Sequence, residues 1–294
     1  MAPGTIDASI IVVSYNKCRY TELCLTSMLR ADPMPEQIVV VDNGSTDGSV
    51  PFLEDRFPEI AEAQGVRFDL IRNDSNVGAC TARNQGLAIA FGEHIGFMDN
   101  DVAVRSRDWL GTLAAVLEED DDHGIVGPKL VYPFEPFNIQ HAGAAISQTG
   151  RVKYLGRGEP IDSPGNNARR EVQCLISACW LMKAEIPECI GGLDEIFNPA
   201  QFEDFDFCYR AREAGWTVLY DPVGEMYHYE SVTTDDSPDV NYKYVTIRNG
   251  MEFKRRWQRM FTQEDGPPDS ECQWKQLETR PMEQTGIPQI VNGS

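Results

Sequence analysis

Four short apolar runs in the first hundred residues, rich in β-branched side chains, are each followed by a stretch of helical character. They are "SIIVVS" at 9–14, "QIVVVD" at 37–42, "VRFDLI" at 66–71 and "EHIGFMD" at 93–99. The intervening stretches are "RYTELCLTSMLR" (19–30), "SVPFLEDRF" (49–57) and "ACTARNQGLAIAF" (79–91), and "DWLGTLAAVLEED" (108–120) follows the fourth run. A strand that is apolar along its whole length is covered on both faces, and strands that alternate with helices join through right-handed crossovers. This rhythm predicts an α/β fold with a mainly parallel sheet flanked by helices.

Beyond residue 127 the pattern changes. Pro, Gly and Asn interrupt 128–170, so irregular structure or a hairpin is expected there. "EVQCLISACWLMKA" (171–184) reads as a long strand, 203–215 as a helix ending at Gly215, "WTVLY" (216–220) as a strand, and 239–259 as a last helix. The expected organisation is one domain over 1–230, whose pattern changes between 127 and 128. A C-terminal helical extension and tail occupy 231–294, the Pro-, Gln- and Glu-rich tail being a surface extension or disordered.

In open α/β sheets, ligands bind beyond the carboxyl ends of the strands. Each early strand ends there in polar side chains: Ser14-Tyr15-Asn16, Asp42 onwards, Arg72 to Asn84, and Asp99-Asn100-Asp101. Two carboxylates two residues apart can hold a hard divalent cation beside a diphosphate. The same spacing recurs at Asp120/Asp122 and Asp204/Asp206, but only the 99–101 copy directly follows an apolar strand. Glu203 and Asp204 open a predicted helix, where acids either complement the helix dipole or do chemistry. His228 follows the strand stretch "WTVLYDPV", where a lone histidine is either structural or able to face the same cation as Asp101.

The blocks "IIVVSYN", "VVVDNGSTDGS", "NVGACTARNQGL", "FMDNDV" and "GGLDEIFNPAQFEDFDFCYRAREAGW", followed by His228, together resemble the inverting glycosyltransferases of family 2, over residues 8 to 230. That resemblance implies a GT-A fold, a Rossmann-like nucleotide-binding half at 1–127 joined to an acceptor-binding half at 128–230. By position it implies that Ser14, Tyr15 and Asp42 hold the nucleotide base, with Arg83 and the Asn76–Gly78 loop nearby. Asp99 and Asn100 would meet the nucleotide sugar, and Asp99, Asp101 and His228 the metal. Asp204 is similar to the family's general base and Glu203 to its neighbour or acceptor contact. Trp180 falls where relatives pack donor sugar and acceptor, or is a core aromatic.

Those roles suit the chemistry. Inversion needs one base to take the acceptor hydroxyl proton, and a divalent cation can neutralise the departing diphosphate. A histidine ligand favours Mn²⁺ over Mg²⁺. The donor is a UDP-, TDP- or GDP-linked sugar, and the acceptor a glycan, a lipid-linked glycan or a protein. Surface glycan or polysaccharide synthesis is the expected setting. A sugar nucleotidyltransferase would need a Gly-rich basic loop after the first strand, where this chain has "SYNKCRY". A non-catalytic nucleotide-sugar-binding protein on the same fold is the other alternative.

A formal net charge of −20 argues against a nucleic-acid partner. Against that background the last predicted helix is locally basic, with Phe253, Trp257, Met260 and Phe261 interleaved among its cations. Such a segment either packs its aromatics on the domain or makes peripheral contact with anionic lipid. The polar start "MAPGTIDA", the absence of an apolar run of roughly 20 residues and eight scattered cysteines point to a cytoplasmic protein, at the inner membrane face if the acceptor is lipid-linked.

Overall fold

The computed structural model describes residues 4–230, 232 and 240–292. Strands β1 (Thr5–Ser14), β2 (Met34–Asp42), β3 (Arg67–Arg72) and β4 (His94–Asp99) alternate with helices, as their hydrophobic pattern requires. Helix α1 (Cys18–Met28) links β1 to β2. Helices α2 (Ser49–Pro51) and α3 (Phe57–Ala63), joined by a π turn over Phe52–Arg56, lead to β3, and α4 (Ala79–Leu87) leads to β4. The four strands pair in parallel in the order β3-β2-β1-β4. The chain builds outward from β1 to β3 and then returns to the other side of β1. That reversal opens a crevice at the carboxyl ends of β1 and β4.

The rest of the sheet is mixed. After β5 (Val102–Val104) and α5 (Trp109–Glu118) come β6 (His123–Val131), β7 (Ile139–His141), the β8 (Ala144–Ile146) and β9 (Val152–Tyr154) ribbon, and β10 (Arg170–Glu171). Strand β11 (Cys179–Lys183) runs antiparallel between β4 and β6. Helices α6 (Glu185–Ile190) and α7 (Glu203–Glu213) precede β12 (Thr217–His228), which lies parallel to β6 and meets β5 with its last residues. Helix α8 (Tyr242–Phe261) and the short α9 (Met282–Thr285) complete the chain.

Several boundaries differ from expectation for identifiable reasons. The strand expected over 171–184 is regular only from Cys179. Before that, Val172 N donates to Val218 O and Cys174 N to Ala144 O, so the backbone follows other partners before entering the sheet. Strand β12 runs on to His228 rather than stopping at residue 220; Pro222 is absorbed by a register shift between Asp221 and Glu225. Strand β6 was hidden by Gly124, Gly127 and Pro128, residues that usually mark loops. The last helix begins at Tyr242; residue 239, where it was expected to start, lies outside the described residues.

Alternation along the strands divides the core. Ile10, Val12, Ile38 and Val40 pack on one face with α1 and α5, whereas Ile11, Val39 and Val41 share the other with Phe207, Tyr209 and Phe253. In α8 the buried residues Phe253, Trp257 and Phe261 repeat at i, i+4 and i+8. Phe253 meets Tyr209 edge-on at 5.2 Å, and Trp257 Nε1 donates to Asp206 Oδ1 at 2.9 Å. Burial of each such aromatic contributes about 1.5–3 kcal/mol, enough to fix α8 against α7. The aromatics that suggested lipid contact are therefore core, with Met260 half-buried.

The tail is an ordered surface strap. Arg157 stacks on Trp274 at 4.0 Å and donates to Lys275 O, Met282 N donates to Tyr20 Oη, and Val291 bridges to Ser106.

Candidate active site

The register delivers the site residues to one edge. Ser14 and Asp42 are neighbours at the ends of β1 and β2, and Val13 pairs with Asp99 at the end of β4. Because β11 runs antiparallel, its start also lies at this edge, where Ala178 O accepts from Asp99 N at 2.8 Å. The pairing of His228 with Val102 brings the last residue of β12 beside Asp101.

The β1–α1 turn takes left-handed backbone at Asn16 and Lys17. Asn16 Oδ1 accepts from Thr46 N at 2.8 Å, and Asn16 N donates to Ser45 Oγ, which locks this turn to the one after β2. Ser14 Oγ bonds Thr21 Oγ1 at 3.0 Å, and Asn100 Nδ2 donates to the same hydroxyl. Ser14 and Asn100 thus support the crevice wall, with Tyr15 half-buried beside them. Asp42 is almost wholly buried. Its Oδ2 accepts from Ser45 N, while Oδ1 has no partner. An unsatisfied buried carboxylate oxygen is costly, so this one is open to a donor from outside the chain.

The Asn76–Gly78 loop is drawn inward by Asn43, whose Nδ2 donates to Asn76 Oδ1 and whose Oδ1 accepts from Val77 N. Gly78 holds φ +90°, and a Cβ there would lie 2.3 Å from Asn198 Oδ1, which accepts from Cys80 N at the start of α4. Gly78→Ala is therefore expected to cost about 1–3 kcal/mol from backbone strain alone. Urea titration checks this, and a variant as stable as the parent would contradict it.

Arg83 organises the acids. Only 4% exposed, it donates to Asp99 Oδ1 at 2.6 Å and to Glu203 Oε1 at 3.3 Å, with its guanidinium 5.6 Å from the centre of the Phe97 ring. Burial pushes the Asp99 and Glu203 carboxyls up, and the Arg83 charge opposes this in both. Asp204, in the first turn of α7, accepts from Phe205 N at 2.8 Å and from Ser177 N at 3.4 Å. Burial and the neighbouring Glu203 charge push its carboxyl up to about 8. Gln201 and Phe202 hold left-handed backbone just before these acids, aiming the helix start into the crevice.

Asp99, Asp101 and His228 offer ligand atoms that all lie within 4.8 Å of one another. His228 Nε2 lies 3.4 Å from Asp101 Oδ1, and its Nδ1 meets Gln140 Oε1 at 3.2 Å. Burial pulls this imidazole down, but the Asp101 charge and hydrogen bond outweigh it and the net direction is up. Gln140 in turn bonds Glu230, which Arg157 grips with two hydrogen bonds and Tyr132 with one. Two hard oxygens and one oriented imidazole suit a divalent cation such as Mn²⁺.

One expectation changes. Trp180 is fully buried in β11, stacked on Phe207 at 5.9 Å and tilted against Phe97, so it has no surface to offer an acceptor. A strand flanked by two others turns its aromatics into the layers above and below, and Trp180 is a core residue. Asp206, two residues from Asp204, is also buried and bonds Arg210, Arg256 and Trp257, so it anchors α8. The sequence reading missed Asn43, Asn198, Gln140 and Glu230. The loop string "VVVDNGSTDGS" contains the first and the block "GGLDEIFNPAQFEDFDFCYRAREAGW" the second, whereas nothing in the local pattern marks Gln140 and Glu230, whose partners are remote in sequence.

A family model, Glycosyl transferase family 2, matches residues 9–175. The chain belongs to glycosyl transferase family 2. Protein y4gI of Sinorhizobium fredii is 31% identical over 266 residues, 86% of this chain, although the chain spans only 28% of that relative. An N-acetylglucosaminyl-diphospho-decaprenol L-rhamnosyltransferase of Mycobacterium tuberculosis is 27% identical over 255 residues, with 78% of each chain covered. Among solved structures, GalNAc-T7 with UDP, GalNAc and Mn²⁺ superposes with a TM-score of 0.69 at 17% identity, covering 87% of this chain and 50% of its own. The architecture is the GT-A fold.

Proposed function

We propose that this chain is an inverting, metal-dependent glycosyltransferase that moves a sugar from a nucleoside diphosphate to an acceptor hydroxyl in the synthesis of a surface polysaccharide. One observation carries the reading. Arg83 bridges Asp99, a member of the metal-ligand cluster, to Glu203, next to Asp204, so donor and acceptor groups meet in one crevice. Family membership and Mn²⁺-bearing neighbours of the same fold support it.

Asp42 presents an unpaired Oδ1 of the kind a ring N–H satisfies, a donor that uracil, thymine and guanine all carry. Asp99, Asp101 and His228 would hold Mn²⁺ in preference to Mg²⁺, and the cation when bound neutralises charge on the departing diphosphate. Asp204 takes the acceptor proton as the hydroxyl attacks the anomeric carbon from the face opposite the diphosphate. Its raised carboxyl is matched to that task, because a base works best with a pKa near the working pH. Glu203, with Oε2 unpaired, remains to contact the acceptor. The acceptor is a glycan or its lipid-linked form, and the work is done on the cytoplasmic side.

Calorimetric titration of UDP should show binding with Mn²⁺ and a loss of about tenfold or more in affinity with EDTA, the scale on which second-shell changes alone act at metal sites. Metal-independent binding would remove the cation from the reading. Absence of binding to UDP, TDP and GDP alike would overturn it.

A further inference from the structure

With Phe253, Trp257 and Phe261 turned inward, the opposite face of α8 carries a second apolar stripe. Tyr244, Ile247 and Met251, at i, i+3 and i+7, are 63%, 64% and 68% exposed. At 100° per residue they fall within one narrow sector, bordered by Lys243 and Lys254 on one side and by Arg248 and Arg255 on the other. The helix carries six cations and one acid, Glu252, in a chain of −20. Arg256 and Arg259 are paired with Asp194, Asp206 and Glu213 of neighbouring elements. That leaves Lys243, Arg248, Lys254 and Arg255 bordering the stripe, Arg255 paired with Glu252. No helix among the described residues is long and apolar enough to cross a membrane. An exposed apolar stripe between cationic borders is the arrangement of a helix lying in a bilayer interface.

We infer that this outer face of α8 docks on an anionic lipid bilayer. Charge complementarity selects that occupant. The chain as a whole is repelled by a negative surface, and among the described helices α8 carries the largest excess of cations beside an exposed apolar stripe. The helix is also tied to the crevice. Asn249 Nδ2 donates to the carbonyls of Phe197, Ala200 and Gln201, just before Glu203, and Arg248 donates to Asn198 O. Docking through α8 therefore holds the α7 start close to the membrane plane, where a lipid-linked acceptor presents its head group. This last consequence rests on the transferase reading; the docking itself does not.

The test is flotation of the full chain with vesicles of phosphatidylglycerol and phosphatidylcholine, and with phosphatidylcholine alone. Binding is expected only to the mixed vesicles and is reversed by high salt. Each Lys or Arg near an anionic surface is worth about fivefold in partition, so Lys243→Glu with Lys254→Glu is expected to weaken binding by about 25-fold or more. Ile247→Ser with Met251→Ser should weaken it about tenfold. Thermal melting of the second variant should match the parent, because both side chains are exposed. Equal binding to neutral vesicles, or none to either kind, overturns the inference. So does a concentration-dependent dimer in sedimentation velocity that Ile247→Ser with Met251→Ser dissociates, since the stripe would then be a contact between copies. Vesicle binding is read without turnover, so its failure leaves the transferase reading standing.

Discussion

Asp204→Asn is expected to lower sugar transfer by about 10²–10⁴-fold while leaving nucleotide binding in place and making the folded protein more stable. The two effects share a cause. Burial and the Glu203 charge push the Asp204 carboxyl up to about 8 from its ordinary value of 3.8. Below about pH 4 the group is protonated both folded and unfolded and contributes nothing. Between there and about 8 the unfolded chain ionises first, so stability falls as pH rises, and the deficit is constant above that range. An amide removes the deficit. The variant should gain about 1–2 kcal/mol near the upper end and almost nothing at the acid end, as urea titrations at two pH values would show. In the parent, kcat/KM should climb with pH until about 8, and this limb should vanish in the variant. A variant that still transfers sugar would remove Asp204 from the role of base. A parent that binds donor but never turns over would make the protein a binder on the transferase fold.

Arg83→Met should do comparable damage by another route. The guanidinium is the cation shared by Asp99 and Glu203; it is buried with Glu203, while the Asp99 side chain is partly open to solvent. Removing one partner of a buried ion pair strands the other charge and costs about 3–5 kcal/mol. Here two carboxylates lose their partner at once. Their carboxyls, already raised by burial, must rise further, so the penalty is greatest when both are ionised and shrinks as the pH falls. Denaturant titration at neutral and acid pH tests this. Arg83→Lys should recover only part of the loss, because a single ammonium cannot span both carboxylates with the guanidinium's fork. A loss below about 1 kcal/mol at neutral pH, the scale of a surface pair, would mean that Arg83 does not hold the crevice together.

The Asp204 and Arg83 predictions differ in how far the sequence alone could reach them. Asp204 was legible because it belongs to a dense local string, "FEDFDFCYRAREAGW", whose helical spacing and family resemblance point to the same place. Arg83 was legible as a candidate site residue near the Asn76–Gly78 loop but not as the bridge between Asp99 and Glu203, which lies 120 residues away. Likewise Trp180 looks the same in sequence whether it lines a pocket or fills a core. Only the sheet order, with β11 between β4 and β6, decides that it is core.

Local patterning by itself determined the alternation of strands and helices, the polar strand ends and the Asp99–Asp101 pair, because periodicity and strand termination act over a few residues. The tertiary structure alone decided which face of α8 is buried, that Asp206 is an anchor while Asp204 opens to the crevice, and that Gln140 and Glu230 orient His228. Those outcomes depend on contacts between segments remote in the chain. Burial and charge at such contacts are set by whatever the fold brings together, and no short window of sequence contains both partners.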